Sequence, residues 1–180
     1  MRYSFAAAAF ILMTIPSAAA FAQQQAAGEY LKKAAAGDLY EKQSSELALA
    51  NSKNREVQTF ARQMIADHDK STADLAASAK LAGIKPASAE LEPKHIGMLA
   101  ELRKLVDEPF DRAYLDQQRK AHAEALALHR DYAAKGEMPP LRQTAANIVP
   151  VVEHHLTMLE KDIRDEFPEH DRSGNSARPQ

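Results

Sequence analysis

Apolar residues recur at intervals of three and four along four long stretches of this chain, which is the spacing of one face of an α-helix. The stretches predict helix A at residues 26–52, helix B at about 55–82, helix C at about 107–136 and helix D at about 141–166. No stretch alternates between apolar and polar residues as a half-buried strand would. The pattern therefore predicts an all-α protein.

Local signals mark where these helices begin and end. Asn54, with Glu56 two residues later, is a good N-cap for helix B, and Gly83 followed by Pro86 is a stop signal for it. The loop between helices A and B is short, so the two should be antiparallel neighbours. Pro139 suits the first turn of helix D, and Pro150 is expected to kink that helix just before His155.

The connection between helices B and C is too long for a turn. Residues 84–108 contain a short amphipathic segment that Pro93 opens and that carries Ile96, Leu99, Leu102 and Val106. We expect a crossover with one extra helix. The predicted fold is an antiparallel four-helix bundle with a long B–C crossover that carries this short helix.

The first 22 residues read as a secretory signal. Arg2 provides a positive start, residues 5–15 an apolar run, and residues 20–22 an A-x-A cleavage site. Residues 23–167 would then form one bundle domain. Residues 168–180, which are polar and without an apolar pattern, are expected to be a disordered tail.

Composition narrows the classes of partner and compartment. The formal net charge of −2 becomes −3 once Arg2 is removed, which argues against a nucleic-acid partner. The chain has no Cys, so it has neither disulfides nor a lipid-bearing cysteine. No membrane span is expected after signal cleavage, and the simplest location is the periplasm, with contact to the outer membrane left open. The sequence identifies no protein partner and no oligomeric state.

One ionisable residue lies near the middle of each predicted helix, on or beside its apolar stripe: Glu41, His68, His122 and His155. Glu41 lies 12 residues before an A–B turn placed at residue 53, and His68 lies 15 after it. His122 lies 16 residues before a C–D turn placed at residue 138, and His155 lies 17 after it. At a rise of about 1.5 Å per residue, all four should lie at one level of the bundle.

Two interpretations of these four residues remain open. Three imidazoles and one carboxylate would suit a single divalent transition metal such as zinc, iron or copper, with Asp67 or Glu153 in an outer shell. The same residues could instead form a buried hydrogen-bonded cluster that sets the packing register. The sequence contains no H-E-x-x-H, no Gly-rich phosphate loop and no G-x-S-x-G, so it predicts no particular enzyme activity.

The chain resembles the DUF4142 family, secreted ferritin-like bundles often labelled as outer membrane proteins. The likeness covers about residues 26–165. It rests on the following residues: Glu41, Leu47 and Ala48 in helix A; Phe60, Ala61, Met64, Ile65, Asp67 and His68 in helix B; Phe110, Asp111, Tyr114, Leu115 and His122 in helix C; and Pro150, His155 and Leu156 in helix D. The resemblance implies a ferritin-like four-helix bundle, and the family has no established biochemical function.

A ferritin-like fold suggests a di-iron site, and the sequence departs from that pattern. Such sites place a Glu three residues before a His on two helices. The residues three before His68, His122 and His155 are Ile65, Arg119 and Val152. The first hypothesis is therefore an exported bundle of unassigned role, linked to the envelope or to stress. The alternatives are a mononuclear metal-binding bundle for metal capture or redox work, and a periplasmic interaction module that uses residues 96–106.

Overall fold

Five α-helices and no strands make up the regular structure of residues 18–166, the part of the chain that the computed structural model describes. Side chains are described for residues 18–161. The helices are α1 (Ala18–Asn51), α2 (Arg55–Leu81), α3 (Pro93–Leu102), α4 (Asp107–Lys135) and α5 (Pro139–Glu166). The predicted all-α class is confirmed.

The four long helices form a bundle whose neighbours, going round, are α1, α2, α5 and α4. Because α2 and α4 lie on opposite corners, the chain has to cross the bundle between them. Residues 82–106 do this, and α3 packs against α1 and α4 on the way. The predicted four-helix bundle with a helix-bearing crossover is confirmed.

Helix boundaries follow the local signals in the sequence. The side-chain oxygen of Asn54 accepts hydrogen bonds from the backbone N–H groups of Glu56 at 2.8 Å and Val57 at 3.2 Å, so Asn54 is the N-cap of α2. Gly83 has a φ of 69°, the left-handed conformation that ends a helix and favours glycine. Pro150 lies inside α5, where its ring removes one backbone donor.

The N-terminal helix differs most from expectation. It is helical from Ala18, the first described residue, and so includes the eight residues before the predicted start at residue 26 and spans the expected cleavage after Ala22. Residues 18–26 are exposed, and packing starts at Ala27, which is 1% exposed. The signal peptide and the domain start at residue 23 stay predictions. Most of the signal, residues 1–17, and the expected tail at 168–180 lie outside the described residues.

The apolar residues of the crossover segment are only partly buried. Leu99 and Leu102 are fully buried, whereas Ile96 is 53% exposed and Val106 60% exposed. The apolar residues of this segment are thus divided between the bundle interior and the surface, and its use as a docking face stays a prediction. In residues 18–166, no helix is both long and apolar enough to cross a membrane.

Two apolar clusters lie at opposite ends of the bundle. The closed end surrounds the α1–α2 turn and has large side chains: Ala48, Val57, Phe60, Ala61, Met64, Leu102, Phe110, Tyr114, Leu115 and Leu159. The open end lies towards the α4–α5 turn and contains four alanines beside larger residues: Ala27, Tyr30, Leu31, Ala34, Leu75, Ala79, Ile84, Tyr132, Leu141, Ala145, Ile148 and Val152. The buried polar residues lie between these clusters.

Candidate metal centre

Three histidines meet in the middle of the bundle. His68 on α2, His122 on α4 and His155 on α5 each place one ring nitrogen within 4.8 Å of the other two. All three are buried, with His122 and His155 only 1% exposed. The counting of residues from the turns predicted this meeting, and the bundle places the three rings accordingly.

His122 and His155 are in direct contact. The Nε2 of His122 lies 3.1 Å from the Nδ1 of His155. The other nitrogen of His122, Nδ1, lies 2.9 Å from the backbone carbonyl oxygen of Gln118. A carbonyl oxygen only accepts, so Nδ1 of His122 carries the proton and donates it. In the neutral ring, Nε2 is then left with a lone pair.

Asp67 orients His155 from the other side. Its Oδ2 lies 2.9 Å from the Nε2 of His155, and that side chain is 27% exposed. An ionised carboxylate accepts only, so Nε2 of His155 is the donor and the lone pair is on Nδ1. Asp67 therefore occupies the position that an outer-shell carboxylate would take.

Asp38 plays the same part for His68. Its Oδ1 lies 2.8 Å from the Nδ1 of His68, and its Oδ2 accepts a hydrogen bond from Thr72 Oγ1 at 3.1 Å. The remaining nitrogen of His68, Nε2, is buried and has no hydrogen-bond partner among the described residues. When the rings are neutral, each of the three histidines thus has one nitrogen held by an acceptor and a lone pair on the other.

The lone pairs of His122 and His155 repel one another unless a cation lies between them. A proton is disfavoured, because burial and then the nearby His68 and His155 lower the pKa of His122 to about 3. Burial also lowers the pKa of His155, against the opposing pull of Asp67. Burial has the same tendency at His68, but the hydrogen bond and charge of Asp38 outweigh it and raise that pKa.

Glu41 lies beside this group of rings. It is 2% exposed, and its Oε1 is 3.4 Å from the Nδ1 of His122, the nitrogen that faces the Gln118 carbonyl. Its Oε2 is buried without a partner in the described part of the chain. Burial raises the pKa of Glu41 to about 8. Glu41 was predicted as a metal ligand, and its described contacts are with the outer nitrogen of His122 and the side chain of Gln118.

Glu153, the other predicted outer-shell residue, lies elsewhere. It pairs with Arg130 of α4, with Oε1 at 2.5 Å from the Arg130 Nη2, and both side chains are largely exposed. Residues two apart on a helix point in very different directions, which separates Glu153 from His155. Asp67 alone of the two predicted carboxylates contacts a histidine of the cluster.

Sequence reasoning missed Asp38 and a cavity beside the cluster. Asp38 lies three residues before Glu41 and so on the same polar stripe of α1, which was a usable signal. The cavity measures about 520 Å³ and borders Asp38, Glu41, His68 and His155. Two further histidines line it: His95, which stacks on Tyr40, and His129, whose Nδ1 lies 3.0 Å from the hydroxyl of Tyr30. No spacing pattern in one chain reveals an empty volume.

Comparison with known proteins supports the fold and identifies the family. No curated protein matches the chain in sequence. A crystal structure of a secreted DUF305 protein from Streptomyces coelicolor is similar in fold, with a TM-score of 0.60 at 12% identity, over 78% of this chain and 94% of that one. The family described as a domain of unknown function, DUF4142, matches residues 13–161. The chain belongs to the DUF4142 family.

Proposed function

We propose that this protein binds one divalent transition-metal ion through His68, His122 and His155. The observation that carries the proposal is the 3.1 Å contact between Nε2 of His122 and Nδ1 of His155, both acceptors by their other hydrogen bonds. Two lone pairs at this separation call for a shared cation. A metal ion supplies it without protonating either buried ring.

The spacing of these nitrogens fits a metal. Two nitrogens bound to zinc at about 2.0–2.1 Å in tetrahedral geometry lie roughly 3.3 Å apart. The 3.1 Å between His122 and His155 is close to that value. The third nitrogen is within 4.8 Å, so His68 has to approach the other two for all three to reach one ion.

In metal sites, a hydrogen-bond acceptor usually holds the ring nitrogen of each histidine that does not bind the metal, and such acceptors are present here. Asp38, Asp67 and the Gln118 carbonyl each hold the far nitrogen of one histidine. Such contacts select the tautomer, orient the ring and raise its basicity as a ligand.

The donor set favours one ion of zinc, copper or iron, used for metal capture or redox work. Neutral imidazole suits all three metals, and three protein ligands leave a coordination position open. The positions where di-iron bundles carry their additional Glu residues are Ile65, Arg119 and Val152. For location, the signal-like residues 1–22 favour an exported protein, with the periplasm as its compartment.

The test compares two adjacent histidines of α5. His155 is in the cluster, and His154 is exposed on the surface. Purified protein is loaded with Zn²⁺, Cu²⁺ or Fe²⁺; bound metal is assayed after dialysis, and thermal unfolding is measured with the same metal in excess. We expect one equivalent of metal and a gain of about 2.7 kcal/mol when free metal exceeds the Kd a hundredfold. His155→Ala should lose both effects, and His154→Ala should keep them.

Two results would overturn the proposal. The first is wild-type protein that stays empty and melts at the same temperature with all three metals. The second is equal metal binding by His155→Ala and wild type. Because His155→Ala could unfold the bundle, His155→Gln is measured beside it, with circular dichroism to establish that each variant is helical. The first result would leave a structural hydrogen-bonded cluster as the role of these residues.

A further inference from the structure

The cavity beside the histidines is much larger than a metal ion needs. Its volume of about 520 Å³ lies within the range of pockets that hold small organic molecules, roughly 300–1,000 Å³. A single water occupies about 30 Å³ in the liquid. All five helices contribute to its wall, so it is a feature of the whole bundle.

Small residues create this space. Ala34 and Gly37 of α1 and Ala121 and Ala125 of α4 line the cavity, where larger side chains would fill it. A Cβ atom added at Gly37 would meet nothing within 4 Å, which shows open volume there. Larger apolar side chains would fit at these positions and bury more surface, yet the chain has small residues there.

Unsatisfied polar atoms border the same space. His95 lines the cavity, is 6% exposed, and its Nδ1 is buried without a hydrogen-bond partner among the described residues. The Oε2 of Glu41, at the inner end, is in the same condition. Each such atom costs about 1–3 kcal/mol, which a ligand with a hydrogen-bonding group would offset.

The charges of the cavity wall largely compensate one another. Lys70 pairs with Asp74, and Lys94 pairs with Glu92 and Glu124 at the rim. Deeper in, Asp38 and Asp67 are each bonded to a histidine. The remaining wall is apolar and includes Leu128, Ile148 and Val152. Lys33 also lines the cavity without an ion pair among the described contacts, but its side chain is exposed, so a charged ligand would find little unpaired opposite charge inside.

We propose that this cavity binds an uncharged, mainly apolar small molecule that carries one hydrogen-bonding group. The apolar body lies against α4 and α5, and the polar group reaches the inner end at Glu41 or the ring of His95. The proposal goes beyond metal binding, because the cavity and its polar atoms do not depend on an ion. A metal on the three histidines would lie next to the bound molecule.

The probe is 1-naphthol, an uncharged bicyclic molecule with one hydroxyl, and its uptake by metal-free protein is measured by equilibrium dialysis. We expect saturable binding of one molecule per chain. Ala125→Leu fills the cavity and should weaken binding at least tenfold. Ala127→Leu makes the same change two residues along α4 at an exposed position outside the wall, and it should leave binding unchanged. Ala121→Leu replaces Ala125→Leu if that variant does not fold.

The outcomes separate this proposal from the metal proposal. No uptake by the wild type, or equal uptake by Ala125→Leu, would overturn the cavity proposal. Uptake of 1-naphthoate or of 1-naphthylmethylammonium at lower concentrations than 1-naphthol would overturn its uncharged ligand class. Ala125→Leu should still bind metal, since it replaces no histidine. If the wild-type protein binds 1-naphthol but no metal, that result would count against the metal centre and leave the cavity proposal standing.

Discussion

The two ends of the bundle are built differently although the same four helices form both. At the closed end, Phe60, Met64, Phe110, Tyr114 and Leu115 are at most 1% exposed, and these large side chains fill the interior. At the open end, alanines replace large residues on several helices, and the cavity of about 520 Å³ begins there. The three histidines lie at the boundary between the two.

This difference indicates a division of labour along the helix axes. Close packing yields the most stabilisation per residue, so the closed end should carry much of the free energy of folding. The open end gives up part of that gain, since small residues bury less apolar surface. A protein without disulfides can leave such space only when the rest of its core is well packed.

The largest expected effect is at the closed end. Phe60→Ala should lower the free energy of unfolding by about 3–5 kcal/mol, because it removes a fully packed ring and leaves a cavity. Urea denaturation of the metal-free protein measures this. Leu81→Ala, at a side chain 78% exposed, is the control and should change the free energy by no more than about 0.5 kcal/mol.

The counterpart at the open end is Ala125→Leu. Adding a large side chain to a well-packed core costs about 1–3 kcal/mol, whereas here it enters open volume and should cost less. If Phe60→Ala costs under 1 kcal/mol, or if Ala125→Leu destabilises as much as Phe60→Ala does, the two ends are not packed differently and the comparison fails.

Much of this fold could be predicted because its signals are local. Asn54, Gly83 and Pro93 mark helix ends through backbone chemistry, and spacing by threes and fours assigns the buried faces. The start of α1 was missed for an equally local reason. Residues 18–22 are four alanines and Phe21, which have enough helical propensity to extend α1 although none of them is buried.

The second expected effect concerns Glu41 at the boundary. Its pKa is about 8 in the folded protein and 4.5 as its ordinary value, so any stabilisation linked to its proton is complete below about pH 4.5 and is lost as the pH rises through 8. At about pH 7 this costs on the order of 3 kcal/mol. Glu41→Gln should therefore stabilise the metal-free protein at neutral pH, and this gain should shrink towards pH 4.5.

Urea titrations across this pH range measure the difference between Glu41→Gln and wild type. Glu46→Gln, at an exposed position of the same helix, should show no such dependence. A gain that is constant from pH 4.5 to 8, or that grows on acidification, would mean that Glu41 is ionised in the folded state. The prediction that the buried Glu41 carboxyl is neutral in the folded protein would then be wrong.

The site itself was only partly predictable. Counting residues from the turns places side chains at one level, and it brought His68, His122 and His155 together correctly. The height of a histidine along the bundle axis does not determine which groups its two ring nitrogens contact. Asp38 and Glu41 lie three residues apart on one face of α1, and only the packing of α1 on α2 decides that Asp38 reaches His68. Glu153 was chosen by proximity in sequence, and helix geometry turns it towards Arg130.

The smallest expected effect tests these outer contacts. Asp38→Asn keeps the shape of the side chain and weakens its hold on the Nδ1 proton of His68, so metal affinity should fall by about 10–100-fold. Glu153→Gln also removes a carboxylate, which lies two residues from His155 in sequence but pairs with Arg130, so affinity should not change. Competition with a chelator of known affinity measures both.

If the two variants lose affinity equally, the effect is the general one of removing negative charge, and the specific support of His68 by Asp38 is refuted. If only Asp38→Asn loses affinity, the hydrogen bond across α1 and α2 contributes to metal binding, and the boundary between the two ends is organised around the three rings.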